Sequence, residues 1–147
     1  MSDVLEYTLL YFEKPFELSH NERKAVTWSG CEGLAEQVFD MAYPTRLSIP
    51  YKAKKARFSC SFAFPANVSG YRQVFSRLNG DKHPMGYITS SHYGGFENGS
   101  SNSFCAIGPW INVSKNDYWE LIVKQDSGRS MTVEPKTCCW FQAEWRS

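Results

Sequence analysis

The sequence contains no stretch close to the roughly 18 consecutive apolar residues that a membrane-spanning helix needs. It also lacks the opening of a secretory signal. Asp3 and Glu6 come early, and Glu6 and Thr8 interrupt the apolar residues between Val4 and Phe12. These absences predict synthesis in a cytoplasm and no membrane partner. A charge excess is missing as well. Sixteen Lys and Arg face fifteen Asp and Glu, a formal net charge of +1, which predicts no nucleic-acid partner. The single dense basic cluster, Lys52, Lys54, Lys55 and Arg57, reads as a solvated turn leading into a strand.

Signs of site chemistry are equally scarce. The five cysteines (Cys31, Cys60, Cys105, Cys138 and Cys139) are odd in number and irregularly spaced, which argues against a disulfide framework. Cys60 falls in an alternating apolar run, where a cysteine acts as a small buried hydrophobe. On a strand, adjacent Cys138 and Cys139 point to opposite faces and do not suit one shared metal. His20, His83 and His92 form no HxxH, HExxH or HxH pattern. No GxSxG or P-loop occurs, and Gly94-Gly95 lacks the strand-to-helix context of a phosphate loop. Asp117 and Glu120 fall on opposite faces of a strand and so do not make a carboxylate pair. No catalytic residue, metal or cofactor is expected, and the chain is predicted not to be an enzyme. The sequons at Asn67, Asn98 and Asn112 read as unglycosylated turn residues.

The chain does have length and aromatics. Its 147 residues suit one domain. A chain this long typically buries roughly 68–70% of its unfolded surface, enough for a core without staples. Aromatic residues make up 16% of the chain; they favour strands and enrich binding surfaces. Only Cys31–Met41 has spacing that fits a short amphipathic helix, through Leu34, Ala35, Val38 and Phe39. The rest reads as short strands separated by turns, the pattern of a sandwich or barrel.

In Lys55–Phe64, Phe58, Cys60, Phe62 and Phe64 share one face, and Pro65 ends the ladder. Tyr71–Leu78, Gly86–Tyr93, Asp117–Gln125 and Thr137–Trp145 follow as strands. Asn79-Gly80-Asp81 and Asp126-Ser127-Gly128 mark turns, and Gly94–Asn102 reads as a mobile surface loop.

Two strands are apolar on both faces. Trp119, Leu121 and Val123 oppose Tyr118 and Ile122; Cys139, Phe141, Ala143 and Trp145 oppose Trp140. A two-sheet sandwich buries one face of each strand, so the second face needs a cover from a neighbouring subunit or from loops of the same chain. Val4–Phe16 is similar, with Leu5, Tyr7, Leu9 and Tyr11 on one face and Val4, Leu10 and Phe12 on the other. It reads either as a first strand or as an arm that pairs with another subunit or lattice. Tyr87, Tyr93 and Phe96, near the Gly94–Asn102 loop, suit stacking on sugar rings or packing.

Several pieces then fall into a familiar order. They are Tyr43-Pro44-Thr45-Arg46-Leu47-Ser48-Ile49-Pro50, the strand Lys55–Phe64, Asn67-Val68-Ser69-Gly70-Tyr71-Arg72 and Asn79-Gly80. After them come Val113 through Leu121 with Asp117-Tyr118, Gln125-Asp126-Ser127-Gly128, and Cys139-Trp140-Phe141. Together they resemble the trimeric jelly-roll domains of tailed-bacteriophage structural proteins, which are similar to complement and tumour-necrosis-factor-like jelly rolls. The resemblance runs from about Lys24 to the C-terminus. Asn116 stands where the family usually has glycine, and asparagine can take the same left-handed turn.

The resemblance implies an all-β antiparallel sandwich, a jelly roll over 17–147 assembled as a homotrimer, with the doubly apolar strands near the threefold axis. Residues 1–16 form an N-terminal strand or anchoring arm. The layout suits a capsid decoration, or cement, protein on the virion surface, made in the host cytoplasm and bound to the major capsid protein. Expected anchoring residues are Leu5, Tyr7, Leu9, Tyr11 and Phe12; expected trimer contacts are Tyr118, Trp119, Ile122, Trp140, Phe141 and Trp145. The alternative is a tail- or head-fibre module that binds host glycan through Tyr87, Tyr93 and Phe96.

Overall fold

A computed structural model describes residues 5–35, 37–65, 70–80, 89–93, 102–135 and 139–147, with backbone alone for 5, 89–93 and 102–104. Its strands in chain order are β1 (Leu5–Tyr11), β2 (Phe16–Leu18), β3 (Arg23–Ala25), β4 (Gly30–Gly33), β5 (Leu47–Ser48), β6 (Lys55–Phe64), β7 (Tyr71–Leu78), β8 (Thr89–Tyr93), β9 (Asn102–Asn112), β10 (Tyr118–Gln125), β11 (Met131–Val133) and β12 (Trp140–Arg146). Sheet I has the order β4-β1-β12-β6-β9. Sheet II runs β3-β10-β7-β8, with β5 also on β10. β2 and β11 form a small third sheet. The described pairings are antiparallel. The chain crosses between the sheets from β6 to β7, β8 to β9, and β9 to β10, so each sheet is built from distant segments, as in a Greek-key sandwich.

Alternation explains the central strands. β6 and β7 have the bounds that their sequence pattern predicts. Phe58, Cys60, Phe62 and Phe64 of β6 turn inward and are buried. So do Phe141, Ala143 and Trp145 of β12, and Trp119, Leu121 and Val123 of β10. Phe58 sits where the sheets meet. Its ring centroid lies 4.6 Å from Trp119 of sheet II, and 5.9 and 6.1 Å from Phe141 and Trp145 of sheet I. The indole N–H of Trp145 donates to Thr8 Oγ1 at 3.0 Å, and the Thr8 hydroxyl donates to the Leu34 carbonyl. A polar chain buried inside sheet I is thereby satisfied.

The quoted turn motifs meet in space. Asn79 and Gly80 both have left-handed backbones (φ 52° and 70°), a conformation that asparagine and glycine tolerate and turns use. The Asn79 side chain donates to Asp117 Oδ1 at 2.9 Å and accepts from the Tyr118 N–H at 2.8 Å. At the other end of the β7–β10 pair, the Tyr71 N–H donates to Asp126 Oδ1 at 2.6 Å. Gly70 has φ +71°, and a Cβ there would lie 2.3 Å from the Asp126 carbonyl oxygen, so only glycine fits. The Arg72 side chain is fully buried beside this turn and donates to the Gly70 carbonyl at 3.2 Å. Burial lowers its pKa, with Asp126 opposing. Buried Gln125 donates to the Leu18 and Arg129 carbonyls and accepts from the Ser127 N–H, which shapes the 126–129 turn. Asn116 has φ 76°, the left-handed turn expected of it.

Two expectations are corrected, and one left open is resolved. Cys31–Met41 is no helix: Cys31 pairs with Leu10 in β4, and Gln37 has φ 66°. Its apolar spacing arises because Val38 plugs the core from a turn. β9, the longest strand described, falls where no strand is expected. It runs along the β6 edge of sheet I, and its register shifts opposite Arg57/Ser59, where Gly108 and Pro109 are accommodated. The segment read as strand or arm is a strand over Leu5–Tyr11, paired with β12 on one side and β4 on the other. Of the 81–93 region, only Thr89–Tyr93 is described, as β8.

Truncating Phe58 to alanine empties the contact between the sheets, and urea titration should show a loss of about 3–5 kcal/mol. Asn79→Ala puts a Cβ-bearing residue without the amide at a left-handed position. We expect a smaller loss, about 1–3 kcal/mol, in the same titration.

Candidate interaction surfaces

Among the described residues, no group of three or more His, Cys, Asp or Glu is placed to hold a metal ion. His20 accepts from the Gly128 N–H at 3.0 Å and so serves a turn. Cys60 and Cys139 are buried, Cys31 is half-buried and Cys105 is exposed; none of the four is in a disulfide. Desolvation is the main reason the Cys60 thiol is pushed up to about 12, with a smaller contribution from Cys105. Burial also raises Cys31. Cys138 lies outside the described residues.

The surface of sheet I that faces away from the core is unusual. Antiparallel register places opposed side chains on one face in rows. One row reads Glu32, Leu9, Gln142, Ser59 and Ile107 across β4, β1, β12, β6 and β9. Beside it runs Trp140, Ser61 and Cys105. A third row reads Tyr7, Glu144, Arg57 and Trp110. This last row carries the charge: Arg57 pairs with Glu144 at 2.7 Å, and Arg57 and Arg146 approach the Trp110 ring at 5.1 and 4.2 Å. The pair is partly exposed, so it fixes geometry more than it stabilises.

The middle of the face is uncharged and shallow. Ser59, Ser61 and Ala63 are small and shaded by their neighbours. Ile107 stands out at 75% exposed. Leu9, Tyr11 and Trp140 line a cleft of about 640 Å³ together with Glu13, Glu32 and Pro135.

Sequence-expected residues divide sharply here. Of the anchoring candidates, Tyr7, Leu9 and Tyr11 lie on this outward face. Phe12 does not; it is 6% exposed and packs near Phe16, Trp28 and Phe62 in the core. For Leu5 the structure describes the backbone alone. Of the expected trimer contacts, Trp119, Phe141 and Trp145 are core residues. Tyr118 and Ile122 lie on the outer face of sheet II, and Ile122 is buried there opposite Phe75 and Ala25 of its own chain. Trp140 alone of the six is on the outer face of sheet I. β10 and β12 belong to different sheets, so their outward residues point to opposite sides of the sandwich. Of the glycan candidates, Tyr87 and Phe96 lie outside the described residues, and Tyr93 is described by its backbone in β8. Sequence reasoning did not single out Ile107, Trp110 or Cys105, because β9 has no clean period-two pattern around Gly108 and Pro109.

No family model matches the chain, and neither does any curated protein. Solved structures do match. The crystal structure of murine APRIL at pH 5.0 superposes with a TM-score of 0.67 at 9% identity, covering 98% of this chain and all of that one (100%). The structure of Eiger TNF from S. frugiperda gives 0.59 at 8% identity, covering 100% of this chain and 94% of that one. At such identities the likeness is one of fold. The chain is a tumour-necrosis-factor-like jelly-roll sandwich.

Cys60 gives this fold a pH signature. An unfolded thiol titrates near 9.0 and the folded one at about 12, so the folded state favours the neutral form. Its stabilising contribution is complete below pH 9 and disappears as pH rises from 9 toward 12. Urea midpoints measured across that window should fall more steeply for the native chain than for Cys60→Ala. Parallel slopes would refute a buried, neutral Cys60.

Proposed function

We propose that this protein is a virion structural protein, a homotrimeric jelly roll that decorates a capsid and clamps the major capsid protein lattice. The observation that carries the self-association is the outward face of sheet I. It exposes Ile107 and presents Leu9, Tyr11 and Trp140 around a trough of small residues. Aliphatic and aromatic side chains set around a shallow, uncharged centre suit a protein interface. Three copies, rather than two, are supported by the sequence resemblance to trimeric phage jelly rolls, and the tumour-necrosis-factor-like fold agrees with that resemblance. The capsid role rests on the same resemblance. Because β1 is paired on both edges, Tyr7, Leu9 and Tyr11 act here as part of the sheet face and not as a detachable arm.

Light scattering on the purified chain should give three times the 16.8 kDa chain mass. Ile107→Glu and Ser61→Arg place charge and bulk in the trough and should give the single-chain mass; Ile107→Glu, at an exposed position, should do so with the native β-sheet circular dichroism. In the dissociated variants, Cys105 should react faster with a thiol reagent than in the native assembly. A single-chain mass for the native protein would sink the trimer. Purified shells of the parent phage should bind the native trimer to a saturation set by lattice symmetry; no binding would sink the capsid role while leaving the trimer intact.

A further inference from the structure

A second surface lies on the sheet II side, away from the trough. The loop that follows β4 crosses the outer face of β10. It is pinned there by the Thr45 hydroxyl, which donates to Glu120 Oε2 at 2.6 Å. Glu120 is itself buried and paired with Arg77 at 2.9 Å. The next residue, Arg46, is held between two rings, 4.4 Å from the Tyr43 centroid and 4.0 Å from that of Tyr118. Across the opening, the Lys115 ammonium lies 5.4 Å from the Tyr51 ring. Between them runs a groove of about 940 Å³. Three of the five large apolar side chains exposed among the described residues stand on it: Met41 (64%), Tyr43 (54%) and Tyr51 (67%).

The groove's formal charge is balanced, Arg46 and Lys115 against Asp40 and Asp117, but these charges are not joined in ion pairs. Its two carboxylates already serve the fold. Asp40 Oδ1 accepts from the Ala42 N–H, and Asp117 accepts from Asn79 and from the Ser114 N–H. Among the described residues, ion pairs join only Arg57 to Glu144 and Arg77 to Glu120, so Arg46 and Lys115 face the groove without a carboxylate partner. A guanidinium held close to two rings has lost much of its conformational freedom, and its fork suits a carboxylate.

We propose that this groove binds an acidic peptide segment of a partner protein. The segment places one Asp or Glu carboxylate on Arg46, within reach of Lys115, and lays a neighbouring apolar side chain against Met41 and Tyr51. A peptide is favoured over an acidic sugar for two reasons. The cations already cover one face of the Tyr43, Tyr51 and Tyr118 rings, reducing the flat area on which a sugar stacks. Met41 is a soft, adaptable chain suited to apolar side chains, and Met, Tyr and Arg are the residues enriched at protein interfaces. The site is independent of the sheet I trough, so both can be occupied at once.

The test is an array of end-blocked, randomised octapeptides probed with the full chain. Bound peptides should be enriched in Asp or Glu at one position beside an apolar residue, by roughly threefold or more, and the enrichment should weaken near 0.5 M salt. Arg46→Gln should abolish the acidic preference and Lys115→Gln should reduce it, both with native urea midpoint and solution mass. Tyr51→Ala, at an exposed position, should weaken the apolar preference alone. The proposal fails if no acidic preference appears, or if the preference survives in both charge variants. It fails equally if immobilised N-acetylneuraminic acid, and not peptide, binds in an Arg46-dependent way.

Discussion

The two sheets are held together by the ring of Phe58, which touches aromatic rings on both. It lies at the middle of β6 and bridges Trp119 of sheet II to Phe141 and Trp145 of sheet I. Buried aromatic side chains carry large apolar area, and tilted or edge contacts add to it. Trp28 extends the same cluster, stacking on Phe141 at 6.3 Å, while Phe12, Phe16, Phe62 and Phe64 carry it along the sandwich. Because this cluster joins the sheets, the inward faces cannot change without separating them, and variation is left to the outward faces and loops.

The motif residues that make the sequence look familiar serve geometry. Gly70 and Asp126 close one end of the β7–β10 pair, and Asn79 with Asp117 and Tyr118 closes the other. The Tyr43–Pro50 motif lays Leu47 and Ile49 into the core and pairs Ser48 with Tyr118. Such residues specify a jelly roll. They say little about partners, which is why structures below 10% identity share the fold while the binding surfaces must be read separately.

On the readings proposed above, the sandwich keeps two tasks on opposite sides. The sheet I face is broad, shallow and nearly neutral, suited to flat packing against a second copy. The sheet II groove holds cations against aromatic rings, suited to a chain that threads into it. Their physical separation follows from the strand order, which sends outward residues of β12 and β10 in opposite directions.

The sequence by itself determined the all-β class, the bounds of β6 and β7, the inward face of β6, and the left-handed turns at Asn79-Gly80 and Asn116. Each of these depends on period-two alternation or on a local backbone preference, both of which act over a few residues. Only the tertiary structure decided which apolar residues on doubly apolar strands are covered. Ile122 is buried by its own chain, opposite Phe75 and Ala25, while Trp140 faces outward. The same holds for β9, whose bulge at Gly108 and Pro109 breaks the pattern, and for Val38, which reaches the core from a turn. It holds too for the groove, where Arg46, Met41, Tyr51 and Lys115 meet from segments some 60–75 residues apart. Long-range pairing sets those contacts, and no local pattern in the chain encodes them.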